Sequence, residues 1–367
     1  MKLLILILFT LVVNLATAQT NPYSFFIAGH TCGKPGVNNA GLHPPFKDKF
    51  EYIQNRTEIK FGILTGDIVQ LDITANDWDE VDTDIDTLGL PVYFAVGNHD
   101  MENRPLFESR YGITYYHFIY ENDLFIILDP NINGWSITGE QQEFLENVVN
   151  DNYEYVDNIF VFFHQLLWWE NDNIYANLKP NTWAGIIRPI NFWTEIEPMF
   201  NQLPNKVIFC AGDMGAGWWS SDFIYDSYDN ITFVGSGMGE GIGDNFIVIN
   251  VDSSKVINYD LICLNDSILV CFGELTDYQL TPNSNHENFT ASTLIYPNPA
   301  TTNFTVELIE NNNAVIQLTN LNGQIILEKH NRKEAKINID VSHFQKGIYV
   351  LHVTNELVHT TSKLIIQ

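Results

Sequence analysis

The chain has 367 residues, with 18 Lys and Arg against 45 Asp and Glu and a formal net charge of −27. That balance excludes a protein that tracks DNA or RNA as its bulk substrate, because a polyanion binder needs positive surface and no basic run exists to supply it. The length exceeds what one core usually holds, which favours two domains.

Met1-Lys2, the apolar run from Leu3 to Val13 and the sequence Ala16-Thr17-Ala18 have the basic start, short apolar core and Ala-x-Ala end of a secretory signal peptide, residues 1–18. The run is too short to span a membrane comfortably and no later one is longer, so no transmembrane segment is expected. The mature chain should begin near Gln19 and lie outside the cytoplasm.

Residues 19–278 read as one α/β domain. Gly33 to Pro45 is rich in turn formers and should form a loop directly after His30, carrying His43. Gly62-Ile63-Leu64 then delivers Asp67, and Pro91 to Ala95 delivers Val96-Gly97-Asn98-His99-Asp100. Between them, Asp77 to Asp86 has apolar residues at Trp78, Val81 and Ile85, the spacing of a surface helix and not of a Ca²⁺ loop. Val161-Phe162-Phe163 delivers His164, and Val207 to Gly212 delivers Asp213. Short apolar runs that each end in a polar group are what buried strands of an open α/β sheet look like, and such sheets place their sites at strand ends. Asp67, Asn98, His164 and Asp213 together offer hard oxygens and an imidazole suited to a divalent metal, leaving His99 as a candidate proton donor.

Other residues near these turns admit two readings each. Lys34, Arg104 and Arg188 could clamp a single phosphate or be solvated loop charges. Trp168 and Trp169, with Trp183, Trp193, Trp218 and Trp219, follow motif ends; they suit the wall of a sugar or apolar substrate site, or a second layer of core under long loops. Gly235 to Gly243 follows one strand, Ile231 to Val234, and leads into another, Asn245 to Ile249, with no helix to receive a phosphate, so a flexible hairpin connection near the metal site is expected. Cys263 and Cys271 could form a local disulfide, while Cys32 and Cys210 stand beside His30 and Asp213.

Residues 279–292 shift to polar composition without periodicity and read as a linker. Residues 293–367 hold short alternating strands from Thr305 to Ile309, Val315 to Thr319, Gln324 to Glu328, Lys336 to Ile339, Ile348 to Val353 and Lys363 to Ile366. Turn residues such as Asn322-Gly323 separate them, which predicts a small all-β sandwich.

At Gly66-Asp67, Gly97-Asn98-His99-Asp100 and His164, residues 23 to 260 resemble the calcineurin-like metallophosphoesterases. That family reads Asp-x-His, Gly-Asp, Gly-Asn-His-Asp/Glu, a lone His and Gly-His-x-His in order. The resemblance implies a four-layer αββα sandwich, a metal held by Asp67, Asn98, His164 and Asp213, and a second position shared by Asp67 and His30. It further implies His99 as the acid for the leaving oxygen, with Asp100 as its orienter. Two motifs depart: Ala28-Gly29-His30 replaces Asp-x-His and Gly212-Asp213-Met214-Gly215 replaces Gly-His-x-His. Both lost ligands belong to one metal, so one tight divalent ion (Mn, Fe, Mg or Zn) and a weak or absent second are expected. On this reading, restoring Asp at 28 and His at 215 should add a metal.

The tail resembles the C-terminal sorting domain of type IX secretion substrates through Ile295-Tyr296-Pro297-Asn298-Pro299-Ala300, Leu321-Asn322-Gly323, Gly347-Ile348-Tyr349-Val350 and Lys363 to Gln367. This implies engagement of the type IX machinery, removal of the tail, and release or attachment at the outer cell surface. The expected activity is hydrolysis of a phosphomonoester or phosphodiester in a phosphorylated small molecule, glycan or lipid headgroup. The competing expectation is a catalytically weak pseudoenzyme that binds a surface glycan or phosphate ligand.

Overall fold

The structure is a computed structural model that describes residues 21–70, 73–182, 190–265, 273–280, 293–308, 314–320, 324–331, 336–355 and 359–366. Tertiary contacts divide the chain into two compact units, Met1–Ser284 and Asn285–Gln367.

Strands of the first unit are, in chain order, Tyr23–Ala28 (β1), Ile59–Leu64 (β2), Val92–Phe94 (β3), Tyr116–Tyr120 (β4), Asp123–Ile127 (β5), Asn158–Phe162 (β6), Lys206–Ala211 (β7), Phe223–Tyr228 (β8), Ile231–Ser236 (β9), Asn245–Val251 (β10) and Ile257–Cys263 (β11). Its α-helices are Pro44–Lys47 (α1), Phe50–Asn55 (α2), Ala75–Leu88 (α3), Arg104–Tyr111 (α4), Glu140–Asn152 (α5) and Glu197–Asn201 (α6). One sheet has the order β11-β10-β1-β2-β3 and the other β4-β5-β6-β7-β9-β8. β1, β2 and β3 run parallel, as do β5, β6, β7 and β9. A parallel strand covered on both faces should be apolar throughout, not alternating. All of β1, β5 and β6 is buried accordingly.

The two sheets pack face to face through Phe25, Ile27, Phe61 and Ile63 against Phe125, Phe160, Phe162 and Ile208. On the outer face of the first sheet, Phe26, Ala28 and Leu64 meet Phe46, Phe50, Trp78, Val81 and Phe107 from α1 to α4. On the outer face of the second, Val161, Phe209 and Phe233 meet Leu145 and Val149 of α5 and Phe200 of α6. This is the expected αββα sandwich. The helix expected at Asp77 to Asp86 is α3: Thr74 and Asp77 form a capping box at its start, Gly89 ends it in the left-handed conformation, and Trp78 and Val81 face the core.

Because the central strands are parallel within each sheet, β1, β2 and β3, like β6 and β7, deliver their following turns to a common edge, carrying His30, Asp67, Asn98-His99, His164 and Asp213. One expectation fails here. The Gly235 to Gly243 segment is not a hairpin, since β9 lies in the second sheet and β10 in the first. Its glycines let the chain cross between sheets beside the site: a Cβ on Gly237 would lie 1.9 Å from the Met214 carbonyl oxygen.

In the second unit, Thr293–Tyr296 (β12), Asn303–Leu308 (β13), Ala314–Thr319 (β14), Ile325–Asn331 (β15), Lys336–Asp340 (β16), Gly347–Asn355 (β17) and His359–Ile366 (β18) form sheets of order β12-β13-β16 and β15-β14-β17-β18. Phe304, Val306, Ile337 and Ile339 of one pack on Ile316, Leu318, Leu351 and Leu364 of the other, giving the expected all-β sandwich. Strand β12 adds to the strands expected from the sequence, the first of which begins at Thr305.

Candidate metal centre

His164 follows β6 and donates from Nδ1 to the Thr65 carbonyl at 2.8 Å. That bond fixes the tautomer and turns the Nε2 lone pair inward. Gly66 makes the approach possible: at φ +86° it turns the chain after β2, and a Cβ there would sit 2.4 Å from the imidazole Nδ1. Nε2 then lies 3.2 Å from Asp67 Oδ2 and 3.5 Å from Asp213 Oδ1.

Each carboxylate is anchored by one oxygen and leaves the other inward. Asp67 Oδ1 accepts from the His99 backbone N–H at 3.1 Å. Asp213 Oδ2 accepts a short hydrogen bond from the Thr182 hydroxyl and a second from the Thr182 backbone N–H. Asp67 Oδ2, His164 Nε2 and Asp213 Oδ1 are all buried without a hydrogen-bond partner, and ligand atoms of these three residues lie within 4.8 Å of one another. An orphaned buried polar atom costs about 1–3 kcal/mol. Three converging on one point, two of them acidic, fit a cation. Burial alone would lower the His164 pKa, yet Asp67 and Asp213 outweigh it and hold it well above the ordinary value, so in the metal-free protein the same carboxylates attract a proton.

The other expected ligands stand on the turns after β1 and β3. His30 donates from Nδ1 to the Met238 carbonyl at 2.8 Å and places Nε2 3.9 Å from Asp67 Oδ2. Asn98 lies beside Gln165, whose Nε2 is 3.4 Å from Asn98 Oδ1. His99 Nε2 is also 3.9 Å from Asp67 Oδ2, its Nδ1 is 3.7 Å from Glu102 Oε1, and its side chain is 29% exposed while the trio is buried. His99 is thus the most solvent-accessible of the three imidazoles around Asp67.

Several expectations need correction. Asp100 does not orient His99: it is fully buried and accepts from the backbone N–H groups of Ile68, Val69 and Gly97, bracing the His99 turn against the Asp67 turn. Burial and the Asp67 charge push its carboxyl up to about 7. Trp168 is no substrate wall: it is fully buried and stacks on Phe233 at 4.7 Å. Trp169 is 9% exposed and donates Nε1–H to the Leu178 carbonyl. The core reading holds for both, and the exposed indoles among the described residues are Trp218, 86% accessible, and Trp219, 37% accessible, on the loop after Asp213. Arg104 is no free clamp, since its Nη1 is 2.7 Å from Asp129 Oδ2 and 3.3 Å from Glu108 Oε1. Arg188 and Trp183 lie outside the described residues. His43 pairs with Asp244 at 3.7 Å, and Lys34 pairs with Glu240. Cys32 and Cys210 are buried free thiols; Cys263 is disulfide-bonded, and Cys271 lies outside the described residues.

The idea that two substitutions would restore a second metal also meets an obstacle. Gly215 has φ +77°, and a Cβ there would lie 2.5 Å from the Gly237 carbonyl carbon and 2.7 Å from the Met238 nitrogen. These are backbone atoms of the segment that holds His30. Ala28 is fully buried in the apolar cluster of Phe26, Phe46 and Leu64. Gly215→His should therefore cost roughly 2–5 kcal/mol of stability from left-handed strain and overpacking, read by urea unfolding. A doubly substituted protein that gained a second metal at unchanged stability would contradict this.

Residues 30–191 match the family model described as calcineurin-like phosphoesterase, and residues 294–367 that described as secretion system C-terminal sorting domain. No curated protein matches the chain. Among solved structures, the chain is similar to purple acid phosphatase PPD1 from yellow lupin (Lupinus luteus) seeds, at 13% identity and TM-score 0.51, over 69% of this chain and 53% of that one. It is also similar to a putative 5'-nucleotidase from Staphylococcus aureus, at 13% identity and TM-score 0.45, over 69% and 56%. The chain thus spans little more than half the length of either, and the likeness to the purple acid phosphatase concerns the fold alone. The sorting domain marks the chain for type IX secretion to the cell surface or outside, and no helix among the described residues is long and apolar enough to cross a membrane. Over residues 30–191 the chain is thus similar to the calcineurin-like phosphoesterases, and over residues 294–367 to the secretion sorting domains.

Proposed function

We propose that the chain is a metal-dependent phosphoesterase that acts outside the cell after loss of a signal peptide at residues 1–18 and of its C-terminal domain. The observation that carries this reading is the convergence of three orphaned buried atoms, Asp67 Oδ2, His164 Nε2 and Asp213 Oδ1, with the partly exposed His99 beside them. Asp67, His164 and Asp213 would hold one divalent ion tightly, with Asn98 as a fourth ligand. His30 and a share of Asp67 are too few for a second tight site without help from substrate oxygens. Two carboxylates to one imidazole favour Mn²⁺, Fe or Mg²⁺ over Zn²⁺. Such an ion, when bound, neutralises charge on phosphoryl oxygens and lowers the pKa of water.

The remaining chemistry belongs to the chain. Thr65 and Thr182 fix the orientation of His164 and Asp213, and the Asp100 brace sets the His99 turn against Asp67. His99 supplies a proton to the leaving oxygen. Trp218 offers a flat apolar surface on the loop that begins at Asp213, suited to a ring or apolar portion of a phosphorylated small molecule, glycan or lipid headgroup.

The departures at Ala28 and Gly215 favour a second reading, a protein that keeps one metal in order to bind a surface glycan or phosphate without turnover. Metal content of the purified chain, together with hydrolysis of 4-nitrophenyl phosphate and bis(4-nitrophenyl) phosphate before and after chelation, separates the two. About one divalent ion per chain and chelator-sensitive hydrolysis are expected. Metal without hydrolysis of either ester supports the binding protein, and a chain that takes up no divalent ion removes both readings.

A further inference from the structure

An asparagine ligand has a weakness that a carboxylate does not share. The two ends of its amide have the same shape and opposite polarity, and the oxygen can face a hard cation whereas the NH₂ group cannot. Something must decide which end of Asn98 faces the centre. We propose that Gln165 is a positioning residue that sets this orientation, as the last link of a hydrogen-bond relay beginning at Asp129. The inference rests on Asn98 being a metal ligand, as argued above.

The relay starts at an acceptor. Asp129 is fully buried and its Oδ2 receives Arg104 Nη1 and the Thr114 hydroxyl, each at 2.7 Å. Its backbone is pinned by Gln141 of α5, which accepts from the Asp129 N–H at 2.7 Å and donates to the Asp129 carbonyl at 3.0 Å. Asp129 Oδ1 receives the backbone N–H and the Nδ2 of Asn131, both at 3.0 Å. A carboxylate paired with arginine can only accept, so Asn131 must turn its NH₂ group toward Asp129. The same NH₂ also donates to the Val96 carbonyl at 3.2 Å, two residues before Asn98.

Polarity then propagates without ambiguity. Asn131 Oδ1 is left facing Gln165 and can only accept, so Gln165 must present its own NH₂ group. Gln165 Nε2 lies 2.9 Å from Asn131 Oδ1 and 3.4 Å from Asn98 Oδ1. Its two hydrogens go to those two oxygens, and Asn98 receives one while keeping its second lone pair for a cation. Gln165 directly follows His164 and is 1% exposed, so solvent cannot replace its donor. Its Oε1 is buried without a partner, which is poor design for packing alone. The relay also gives Arg104 a role in place of phosphate clamping: its guanidinium holds the carboxylate from which the order is read.

Gln165→Met keeps approximate length and removes the donor. Calorimetric titration of the metal-depleted full chain with Mn²⁺ should show affinity reduced about 10–100-fold, the usual loss when an outer partner of a metal ligand is removed. The diagnostic comparison uses Asn98→Asp, whose carboxylate presents oxygen whichever way it turns. In that background Gln165→Met should change Mn²⁺ affinity by less than about twofold, since the two positions no longer couple. Asp129→Asn, which lets Asn131 reverse, should repeat the pattern and serves if Gln165→Met does not fold. An equal loss in both backgrounds would show that Gln165 acts by packing and would overturn the relay, as would unchanged affinity in the background that keeps Asn98. Wild-type protein that binds no Mn²⁺ would instead overturn the metal-site reading on which the relay stands.

Discussion

An Asp67→Asn protein should fold as the wild type does, carry no tightly bound metal and lose all but a trace of turnover. Asp67 Oδ2 is the hub of the site, 3.2 Å from His164 Nε2 and 3.9 Å from the Nε2 atoms of both His30 and His99. The substitution changes little else. Residue 67 has φ +49°, a left-handed conformation that asparagine tolerates as well as aspartate. The retained oxygen can still accept from the His99 backbone N–H, as Asp67 Oδ1 does at 3.1 Å. The new NH₂ group can donate to the orphaned His164 Nε2, so the metal-free protein is not left with an extra unsatisfied atom. A cation meets a donor where it had met a carboxylate oxygen, and its affinity should fall at least about 100-fold. Elemental analysis of the dialysed protein and its unfolding midpoint are the two readouts. Stoichiometric metal in the Asp67→Asn protein would show that the centre is not built around this residue.

This separation between fold and site explains what could be read from the sequence. Asp67, His164 and Asp213 were legible because each ends an apolar run, and runs buried on both faces leave the polar residue at the end as the conspicuous one. Their convergence followed from parallel strands finishing at a common edge. The second layer was not legible in the same way. Thr182 holds Asp213 across 31 positions and Gln165 meets Asn131 across 34, and neither pair has a residue type or period that marks it. Such contacts depend on where loops fall after the layers have packed.

Charge and aromaticity misled for a related reason. Arg104 and Trp168 stand near motifs in the sequence, but nearness along the chain does not say which face of a sheet a residue takes. Asp129, buried and far in sequence, claims the guanidinium. Phe233 of β9 claims the indole. Asp100 follows His99 directly, yet the 3₁₀ turn Asp100–Asn103 carries its carboxylate back to the amides of Ile68 and Val69.

His99→Ala gives the other large expected effect, and it should differ in kind from Asp67→Asn. The imidazole is more exposed than His30, His164 and Asp213 around Asp67, and it is absent from the trio of mutually close ligand atoms. Its removal should lower turnover of an ester with a poor leaving group by about 10²–10⁴-fold, the usual size of general acid catalysis, while metal content stays at the wild-type value. The loss should shrink for 4-nitrophenyl esters, whose leaving oxygen needs little protonation. The turn itself should survive, because its bond to Asp67 comes from the His99 backbone N–H and its brace from Asp100, neither of which uses the imidazole. Equal losses for good and poor leaving groups would argue against a proton donor at this position. Loss of the metal together with the imidazole would make His99 a ligand and leave the leaving oxygen without its assigned acid.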